Sequence, residues 1–214
     1  MAEREKKVPA VVIKRLPRYY RYLGELLKQG TTRISSNALS QRMNVTASQI
    51  RQDFNYFGGF GQQGYGYNVE SLYKEIGDIL GLNDNDTMII VGAGNLGRAL
   101  ASHNTFEKRG FRLVGIFDSD TRIIGTMING VRVRSADDLE SFVRNNRVDI
   151  GILTLPKAAV QATAELLADA GVKGLLNFSY TELQLPKDIA VSNVHLSDPL
   201  MFLSYEIKNR REQG

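Results

Sequence analysis

The sequence predicts an α/β protein with an N-terminal winged-helix domain, a Rossmann domain built on a doubly wound parallel sheet, and a C-terminal helix exchanged between subunits. Three observations lead to this fold class. A short helix and a tight turn precede a capped helix, the glycine-rich motif Gly92–Gly97 directly follows an apolar strand, and strands then alternate with helices. A chain of 214 residues suffices for two small domains. We expect the winged-helix domain over 1–80, the Rossmann domain over 84–196 and the C-terminal helix over 197–214.

The charge is distributed unevenly along the chain. Residues 1–67 contain 11 Lys/Arg and 4 Asp/Glu, a net charge of +7, whereas residues 68–214 contain 16 and 19, a net charge of −3. A basic N-terminal third indicates contact with a polyanion, although a solvated basic surface explains the charge equally well.

The chain contains no cysteine and only two histidines, His103 and His195. This composition excludes disulfides, thiolate metal sites and cysteine nucleophiles, and we expect no bound metal. The charged N-terminus is unlike a secretory signal, and no apolar run is long enough to cross a bilayer. We therefore expect a cytoplasmic protein without a membrane segment.

The N-terminal third has the pattern of a helix-turn-helix. A first helix is predicted over 18–29, after Pro17, and a second begins at Ser36. Thr46 and Gln49 match a capping box at the start of a third helix, which we expect to end at about Phe57.

The third helix has one apolar and one polar side. Ile50, Phe54 and Phe57 cluster on the side expected to face the core, with Asp53 near its edge. The opposite side is poor in Glu and Lys, which favours contact with base edges or phosphates over an ordinary solvated face. We take as candidate DNA contacts the polar and basic side chains here and on the preceding basic segment: Arg15, Arg18, Arg21, Thr46, Ser48, Gln49, Arg51, Gln52, Asn55 and Tyr56.

Five glycines occur among residues 58–67, directly after this helix. Their density excludes a helix and is typical of a short hairpin, which here would form the wing. A flexible linker is the alternative, but the interleaved Phe60, Tyr65 and Tyr67 favour a packed hairpin.

The second domain begins with the dinucleotide-binding fingerprint. The strand 87–91 leads into a GxGxxG motif, and a helix-compatible stretch extends from there to Arg109. A second strand, 111–117, ends at Asp118, 21 residues after Gly97, where a carboxylate binds the adenosine ribose. No arginine follows at once, so NAD(H) is favoured over NADP(H). The candidate cofactor contacts here are Gly92, Ala93, Gly94, Asn95, Leu96, Gly97 and Asp118.

Alternation of strands and helices continues to residue 194. Strands are predicted over 148–155, 172–178 and 189–194, with a helix over 158–170. Ligands of such sheets bind beyond the carboxyl ends of the strands. The residues at these ends could line the nicotinamide side of a cofactor site or serve only in packing: Thr154, Leu155, Pro156, Asn177 and Phe178.

The last predicted helix follows Ser197 and Pro199 and is apolar on nearly every side between Leu200 and Ile207. A terminal helix cannot easily bury two faces against its own domain. We expect it to dock into a second subunit, with a helix clamped between the chain's own two domains as the alternative.

In motif order, the whole chain resembles the Rex family of redox-sensing transcriptional repressors. The resemblance rests on RLPRYYR at 15–21, IRQDFNYFG at 50–58 with the wing, Gly92–Gly97, LTLP at 153–156 and GVKGLLNF at 171–178. It implies a homodimer with exchanged C-terminal helices, which binds palindromic operator DNA and is released by NADH. The chain departs from the family's pattern at Gln52, His103 and His195, and we assign no specific role to either histidine.

The predicted function is therefore a repressor that responds to the NADH/NAD+ ratio rather than an enzyme. NADH would favour a dimer shape that breaks the spacing of the two DNA-reading helices. An apolar pocket of Leu155, Pro156 and Phe178 would favour the neutral reduced ring over the cationic oxidised ring. The alternatives are a small NAD-dependent oxidoreductase, for which the chain lacks a substrate domain, and a module that binds CoA or another nucleotide.

Overall fold

The computed structural model describes residues 8–43, 45–56, 61–62, 66–103 and 105–212. The chain divides into two compact units, residues 1–84 and 85–214. Each unit has its own hydrophobic core, and each is described separately below.

The first unit is mainly helical. In chain order its elements are α1 (Ala10–Ile13), α2 (Leu16–Lys28), β1 (Arg33–Ile34), α3 (Ser36–Met43), α4 (Ala47–Phe54), β2 (Gly61–Gln62), β3 (Gly66–Asn68) and α5 (Val69–Ile79). Helices α3 and α4 form the predicted helix-turn-helix. Helix α2 begins two residues before its predicted start, so that Pro17 lies inside the first turn. Helix α4 ends at Phe54, three residues before the predicted Phe57, and Asn55 is its C-cap residue.

The core of this unit joins the helices to a small sheet. Within the described residues, strand β3 pairs antiparallel with both β1 and β2, which gives the order β1-β3-β2. Tyr67 on β3 packs edge-on against Phe54 of α4, with the ring centroids 5.0 Å apart. The described part of the predicted hairpin is therefore attached to the helix before it, while Phe60 and Tyr65 lie outside the described residues.

The second unit contains a mostly parallel sheet. Its elements are β4 (Asp86–Val91), α6 (Asn95–Ala101), β5 (Phe111–Asp118), β6 (Met127–Ile128), β7 (Val131–Ser135), α7 (Leu139–Asn145), β8 (Ile150–Leu153), α8 (Lys157–Asp169), β9 (Gly174–Asn177), β10 (Ala190–Asn193) and α9 (Asp198–Glu212). The strand order over the described residues is β10-β9-β8-β4-β5-β7-β6. The β6–β7 pair is antiparallel and the other pairs are parallel, so the doubly wound α/β prediction is confirmed.

Both faces of the central strands are buried. On β4, Ile89 and Val91 belong to one core cluster, and Met88 and Ile90 to the other. A strand buried on both faces has a continuous apolar run rather than alternation, which is why 87–91 could be predicted from sequence.

Two features of the second unit differ from the sequence expectation. The helix after the glycine motif ends at Ala101, and only a short 3-10 turn (Glu107–Arg109) follows before β5. The β6–β7 hairpin and α7 were not predicted. Asn129 and Gly130, with φ of 49° and 79°, form the turn of this hairpin. An Asn-Gly pair between apolar residues is a strong hairpin signal, so the sequence did carry this information.

The C-terminal helix α9 is exposed along its length. Its large apolar side chains are 42–67% exposed in the chain by itself: Leu200, Met201, Phe202, Leu203, Tyr205 and Ile207. No α9 residue is buried in the part of the chain that the structure describes. A contiguous apolar surface of this kind marks an interaction site.

Among the described residues, no helix is both long enough and apolar enough to span a membrane.

Candidate DNA-binding and cofactor-binding sites

Thr46 begins the predicted DNA-reading helix as expected. Its Oγ1 accepts a hydrogen bond from the backbone N–H of Gln49 at 3.1 Å, which satisfies one of the free donors at the start of α4. The second half of the predicted capping box differs, because the Gln49 side chain donates to Asp53 at 3.0 Å.

Asp53 is fully buried, where the sequence placed it only near the core edge. Its carboxylate accepts hydrogen bonds from Arg15 Nε and Nη2 at 2.7 and 2.6 Å, from the Tyr19 hydroxyl at 2.8 Å, and from Gln49. Although burial opposes ionisation, the Arg15, Tyr19 and Gln49 hydrogen bonds hold the pKa of Asp53 below its usual value. The site thus keeps a charged carboxylate inside the core, attached to two helices.

The same network raises the pKa of its two other titratable members. Burial raises the pKa of the Tyr19 hydroxyl, and its hydrogen bond to Asp53 adds to the effect. The pKa of Arg15 rises chiefly through its hydrogen bond to Asp53. Arg15 was expected to contact DNA, and the structure gives its Nε and Nη2 an internal partner instead, so its role in DNA binding stays a prediction.

The exposed side of α4 presents Arg51 in a defined orientation. Its guanidinium donates from Nη1 to the Ser36 hydroxyl and from Nη2 to the Ser48 hydroxyl, both at 3.0 Å. Ser36 begins α3, so these bonds join the two helices of the motif. The other candidate DNA contacts on exposed positions are Arg18, Arg21, Thr46, Ser48, Gln52 and Asn55, whereas Gln49 and Tyr56 are half-buried.

The glycine loop of the second unit is shaped by close backbone contacts. Gly92 has φ +99°, and a Cβ there would lie 2.5 Å from the Thr154 carbonyl oxygen. A Cβ on Gly97 would lie 1.9 Å from the Gly92 carbonyl oxygen, whereas one on Gly94 would meet nothing within 4 Å. Gly92 and Gly97 therefore permit the turn and the close approach of α6, and Gly94 leaves open space above the loop. This cradle fits the pyrophosphate of a dinucleotide.

Asp118 lies at the end of β5 beside this loop. Its Oδ2 accepts the Ala93 N–H at 2.5 Å, and its Oδ1 accepts the Asp120 N–H at 2.8 Å. Asp118 is half-buried, which leaves part of the carboxylate for a ribose hydroxyl. Arg122 was not among the predicted contacts. Asp120 binds its guanidinium with an Nη2–Oδ2 distance of 2.7 Å, and this hydrogen bond lowers the pKa of Asp120 to about 2.

The candidates for the nicotinamide side divide into two groups. Pro156 is exposed, whereas Leu155 and Phe178 are half-buried and pack against two different core clusters, so these two are only partly accessible. Thr154 and Asn177 are occupied within the protein. The Thr154 hydroxyl donates to the Gly92 carbonyl at 2.6 Å, and the Asn177 side chain donates to the Thr181 carbonyl and Asn193 Oδ1 and accepts the Ser179 N–H, each at 2.9 Å.

The two histidines have different surroundings. His103 is exposed and its ring contacts Phe106 edge-on. His195 stacks on Tyr180, and its Nε2 lies 3.9 Å from Glu182 Oε1. Among the described residues no three His, Asp or Glu side chains are grouped so that they could hold a metal ion.

Two protein families match the two units. The family described as "Putative DNA-binding protein N-terminus" matches residues 7–55, and the "CoA binding domain" family matches residues 83–181. A DNA-binding unit joined to a nucleotide-binding unit defines the class of ligand-responsive transcriptional regulators.

Similarity to known proteins identifies the family within this class. The chain is 55% identical to the redox-sensing transcriptional repressor Rex of Thermoanaerobacter pseudethanolicus, over 94% of this chain and 90% of that protein. It is also similar to the Rex-family repressor RSP in two crystal structures. One contains β-NAD+ and operator DNA (TM-score 0.89, 53% identity, 95% of this chain and 94% of that one), and the other contains β-NADH (TM-score 0.88, 50% identity, 96% and 97%).

The chain belongs to the Rex family of redox-sensing transcriptional repressors. This confirms the predicted family and fold, and it removes the oxidoreductase alternative, because the relatives are repressors rather than enzymes.

Proposed function

We propose that the chain binds palindromic operator DNA as a homodimer and releases it when NADH occupies the Rossmann unit. The observation that carries the proposal is the combination in one chain of a capped helix with an oriented Arg51 and a glycine loop with Asp118 at its side. The complexes of RSP with operator DNA, NAD+ and NADH support it. We place the protein in the cytoplasm, where the operator and NADH meet.

In this proposal the DNA is read by α4. Its exposed Arg51, Gln52 and Ser48 face solvent and can hydrogen-bond base edges or phosphates. The Ser36 and Ser48 hydroxyls hold the Arg51 guanidinium before DNA arrives, which reduces the entropy lost on binding. Two such helices match a palindrome when a dimer holds them one turn of DNA apart, about 34–36 Å.

The dinucleotide would be held by the backbone of Gly92–Gly97 and by Asp118. The carboxylate accepts hydrogen bonds from ribose hydroxyls and repels a 2′-phosphate, which favours NADH over NADPH. The nicotinamide ring would meet the apolar Leu155, Pro156 and Phe178. A neutral reduced ring is better accommodated there than a cationic oxidised ring, because an unpaired charge is costly in apolar surroundings.

Helix α9 supports the homodimer. Its exposed apolar side chains form a surface that a second subunit would cover, and we propose that the two subunits exchange this helix. Deletion of residues 198–214 should then give monomers or aggregates in analytical ultracentrifugation. A truncated protein that remains a stable dimer and still binds operator would contradict the exchange.

The experiment that tests the function measures operator affinity with and without dinucleotide. The probe is a palindromic duplex selected by the full-length protein from a random library, followed by fluorescence anisotropy at fixed salt. Saturating NADH should weaken binding by about 5–150-fold, and the same duplex should weaken NADH binding by the same factor, because coupling is reciprocal. NAD+ should compete with NADH without releasing the DNA.

CoA and NADPH are the comparison ligands in this experiment. Both carry a phosphate on the adenosine ribose, which the Asp118 carboxylate should repel, so neither should release DNA at concentrations where NADH does. Release by CoA but not by NADH would favour the CoA-binding alternative that the family match at 83–181 keeps open. Operator affinity that is indifferent to NADH would leave a repressor with a structural dinucleotide.

A further inference from the structure

Thr154 follows β8, and its polar groups form hydrogen bonds with the end of β4 and the start of the glycine loop. Its backbone N–H donates to the Val91 carbonyl at 3.0 Å, and its hydroxyl donates to the Gly92 carbonyl at 2.6 Å, with Val91 O at 3.2 Å. The residue was expected to line the nicotinamide side. Its hydroxyl is directed instead at the carbonyl that begins the phosphate-binding turn.

The loop is held from its other side by β5. The Gly92 N–H donates to the Phe117 carbonyl at 2.8 Å, and the Ala93 N–H donates to Asp118 Oδ2 at 2.5 Å. The donors of the turn are thus fixed by β5, and the Gly92 acceptor is fixed by Thr154. Among the described side chains that hydrogen-bond residues 92–94, Asp118 and Thr154 are the pair that defines the loop.

The space around Thr154 is filled on the loop side. A Cβ on Gly92 would lie 3.0 Å from Thr154 Oγ1, and one on Gly97 would lie 2.9 Å from the same atom. The hydroxyl therefore sits between the beginning of the turn and the first turn of α6, in contact distance of both. A loop held this way is pre-organised, so that less ordering free energy is lost when a ligand binds to backbone N–H groups other than those of Gly92 and Ala93.

We propose that Thr154 is a positioning residue for the dinucleotide, which holds the Gly92 carbonyl so that the loop keeps its ligand-binding shape. This rests on the proposed function of the site. Because Thr154 acts on the pyrophosphate loop, it sets the affinity for the part that NADH and NAD+ share. Discrimination between the two ring states belongs to the apolar Leu155, Pro156 and Phe178.

The test compares Thr154→Val, which keeps the shape and removes the hydroxyl, with Thr154→Ser, which keeps the hydroxyl. Thr163→Val is the matched control, because the Thr163 hydroxyl also donates to a backbone carbonyl, that of Ala159 at 2.9 Å, but on α8. Affinities of the full-length variants for NADH, NAD+ and ADP-ribose are measured by isothermal titration calorimetry, and unfolding by circular dichroism.

Thr154→Val should lower the affinity for all three ligands by a common factor of about tenfold, the upper end of the range for one hydrogen bond. Thr154→Ser should stay within about twofold of the wild type for the same reason, and Thr163→Val should bind as the wild type does. If Thr154→Val does not fold, Thr154→Ala replaces it, with the same expectation.

Wild-type affinity for all three ligands in a folded Thr154→Val variant would overturn the inference. So would unequal factors for NADH and NAD+, which would make Thr154 a contact of the ring, or a loss in Thr154→Ser as large as in Thr154→Val. These outcomes concern binding alone, whereas the proposed function fails when bound NADH leaves operator affinity unchanged, so the two failures are distinguishable.

Discussion

Helix α4 and the glycine loop each have an aspartate among the residues that hold them in place, and the two aspartates act in different ways. Asp53 is fully buried and holds α4 through the side chains of Arg15, Tyr19 and Gln49. Asp118 is half-buried and holds the loop through the backbone N–H of Ala93. In the proposed function, the first contact orients a helix that presents side chains to DNA, and the second orients a turn that presents backbone N–H groups to the dinucleotide.

This difference predicts how each region tolerates substitution. A helix that presents side chains depends on charge and hydrogen bonding, so single polar substitutions should reduce DNA binding. A turn that presents backbone depends on the absence of side chains, so added methyl groups should reduce cofactor binding. The predictions below test this contrast in order of decreasing effect.

Gly97→Ala should have the largest effect. The new methyl group would lie 1.9 Å from the Gly92 carbonyl oxygen, so the loop must move. We expect NADH affinity to fall by at least about 100-fold, or about 2.7 kcal/mol, with a lowered midpoint of thermal unfolding. Gly94→Ala is the matched control for folding, because its methyl group meets no protein atom: it should lose NADH affinity at an unchanged midpoint. Equal NADH affinity in Gly97→Ala and the wild type would show that Gly97 does not approach the Gly92 carbonyl as closely as in this structure.

Asp53→Asn should have the next largest effect, on the first unit. The change leaves the Arg15 guanidinium beside a neutral amide in the core. Because the Arg15 side chain is 28% exposed, the pair is only partly buried, and its loss should cost about 2 kcal/mol, within the range for hydrogen bonds to a charged group. The free energy of unfolding by urea should fall by this amount and operator binding should weaken, whereas NADH affinity should not change. Loss of NADH binding as well would mean that Asp53 supports more than α4.

Arg51→Ala should weaken operator binding by about 1–3 kcal/mol if the guanidinium contacts a base. Stability should change little, because the two bonds that Arg51 makes to Ser36 and Ser48 are exposed. Fluorescence anisotropy at several salt concentrations separates a base contact from a phosphate contact, because only the loss of a phosphate contact reduces the salt dependence of operator affinity. Full operator affinity in this variant would remove Arg51 from the DNA contacts.

Acid should destabilise the first unit through Asp53. Because its folded pKa is lower than its unfolded value of about 3.9, the ionised group stabilises the fold at pH values above 3.9. This contribution is lost as the pH falls through the lower folded pKa, by about 1.4 kcal/mol for each unit between the two values. Urea unfolding between pH 5 and pH 2.5 should show the loss, and in Asp53→Asn this part of the pH dependence should disappear.

Asp120→Ala should have the smallest effect, on cofactor choice. It frees the Arg122 guanidinium, which Asp120 binds on the exposed surface two residues beyond Asp118. Arginine accommodates a 2′-phosphate at this end of the site, so NADPH affinity should rise while NADH affinity stays the same. Exposed ion pairs contribute little because solvent screens them, so the gain in NADPH affinity should be small, at most about fivefold. Asp118→Ala is the comparison variant, and it should lower the affinity for NADH instead.

Local patterns predicted the elements that use local chemistry. Thr46 was predicted as a helix cap because a cap bonds a residue three positions later, and Gly92–Gly97 was predicted because a strand, a turn and a helix adjoin in sequence. The Asn129–Gly130 hairpin carried an equally local signal. The early end of α4 and α6 was not predicted, since helix ends depend on which residues can continue to pack.

Contacts between distant residues were not predictable in the same way. Asp53 is 38 residues from Arg15, and Thr154 is 62 residues from Gly92, so no spacing rule connects them. A buried carboxylate contradicts the residue's usual exposure. It is tolerated because Arg15 and Tyr19, 38 and 34 residues away, join Gln49 of the same helix as its partners. Asn177 and Thr154 were chosen as cofactor contacts for their place at strand ends, and the structure shows their polar atoms already bonded within the protein.

The sequence by itself determined the family, the order of the two units, the capped helix α4 and the glycine loop, because each rests on motifs whose residues are neighbours along the chain. Only the tertiary structure decided which candidates are free to meet a ligand. Arg51 is exposed and Phe178 is partly accessible, whereas Arg15, Asn177 and Thr154 are engaged internally. The physical reason is that a polar side chain's partner is set by which strands and helices fold together, and burial makes each such bond compulsory.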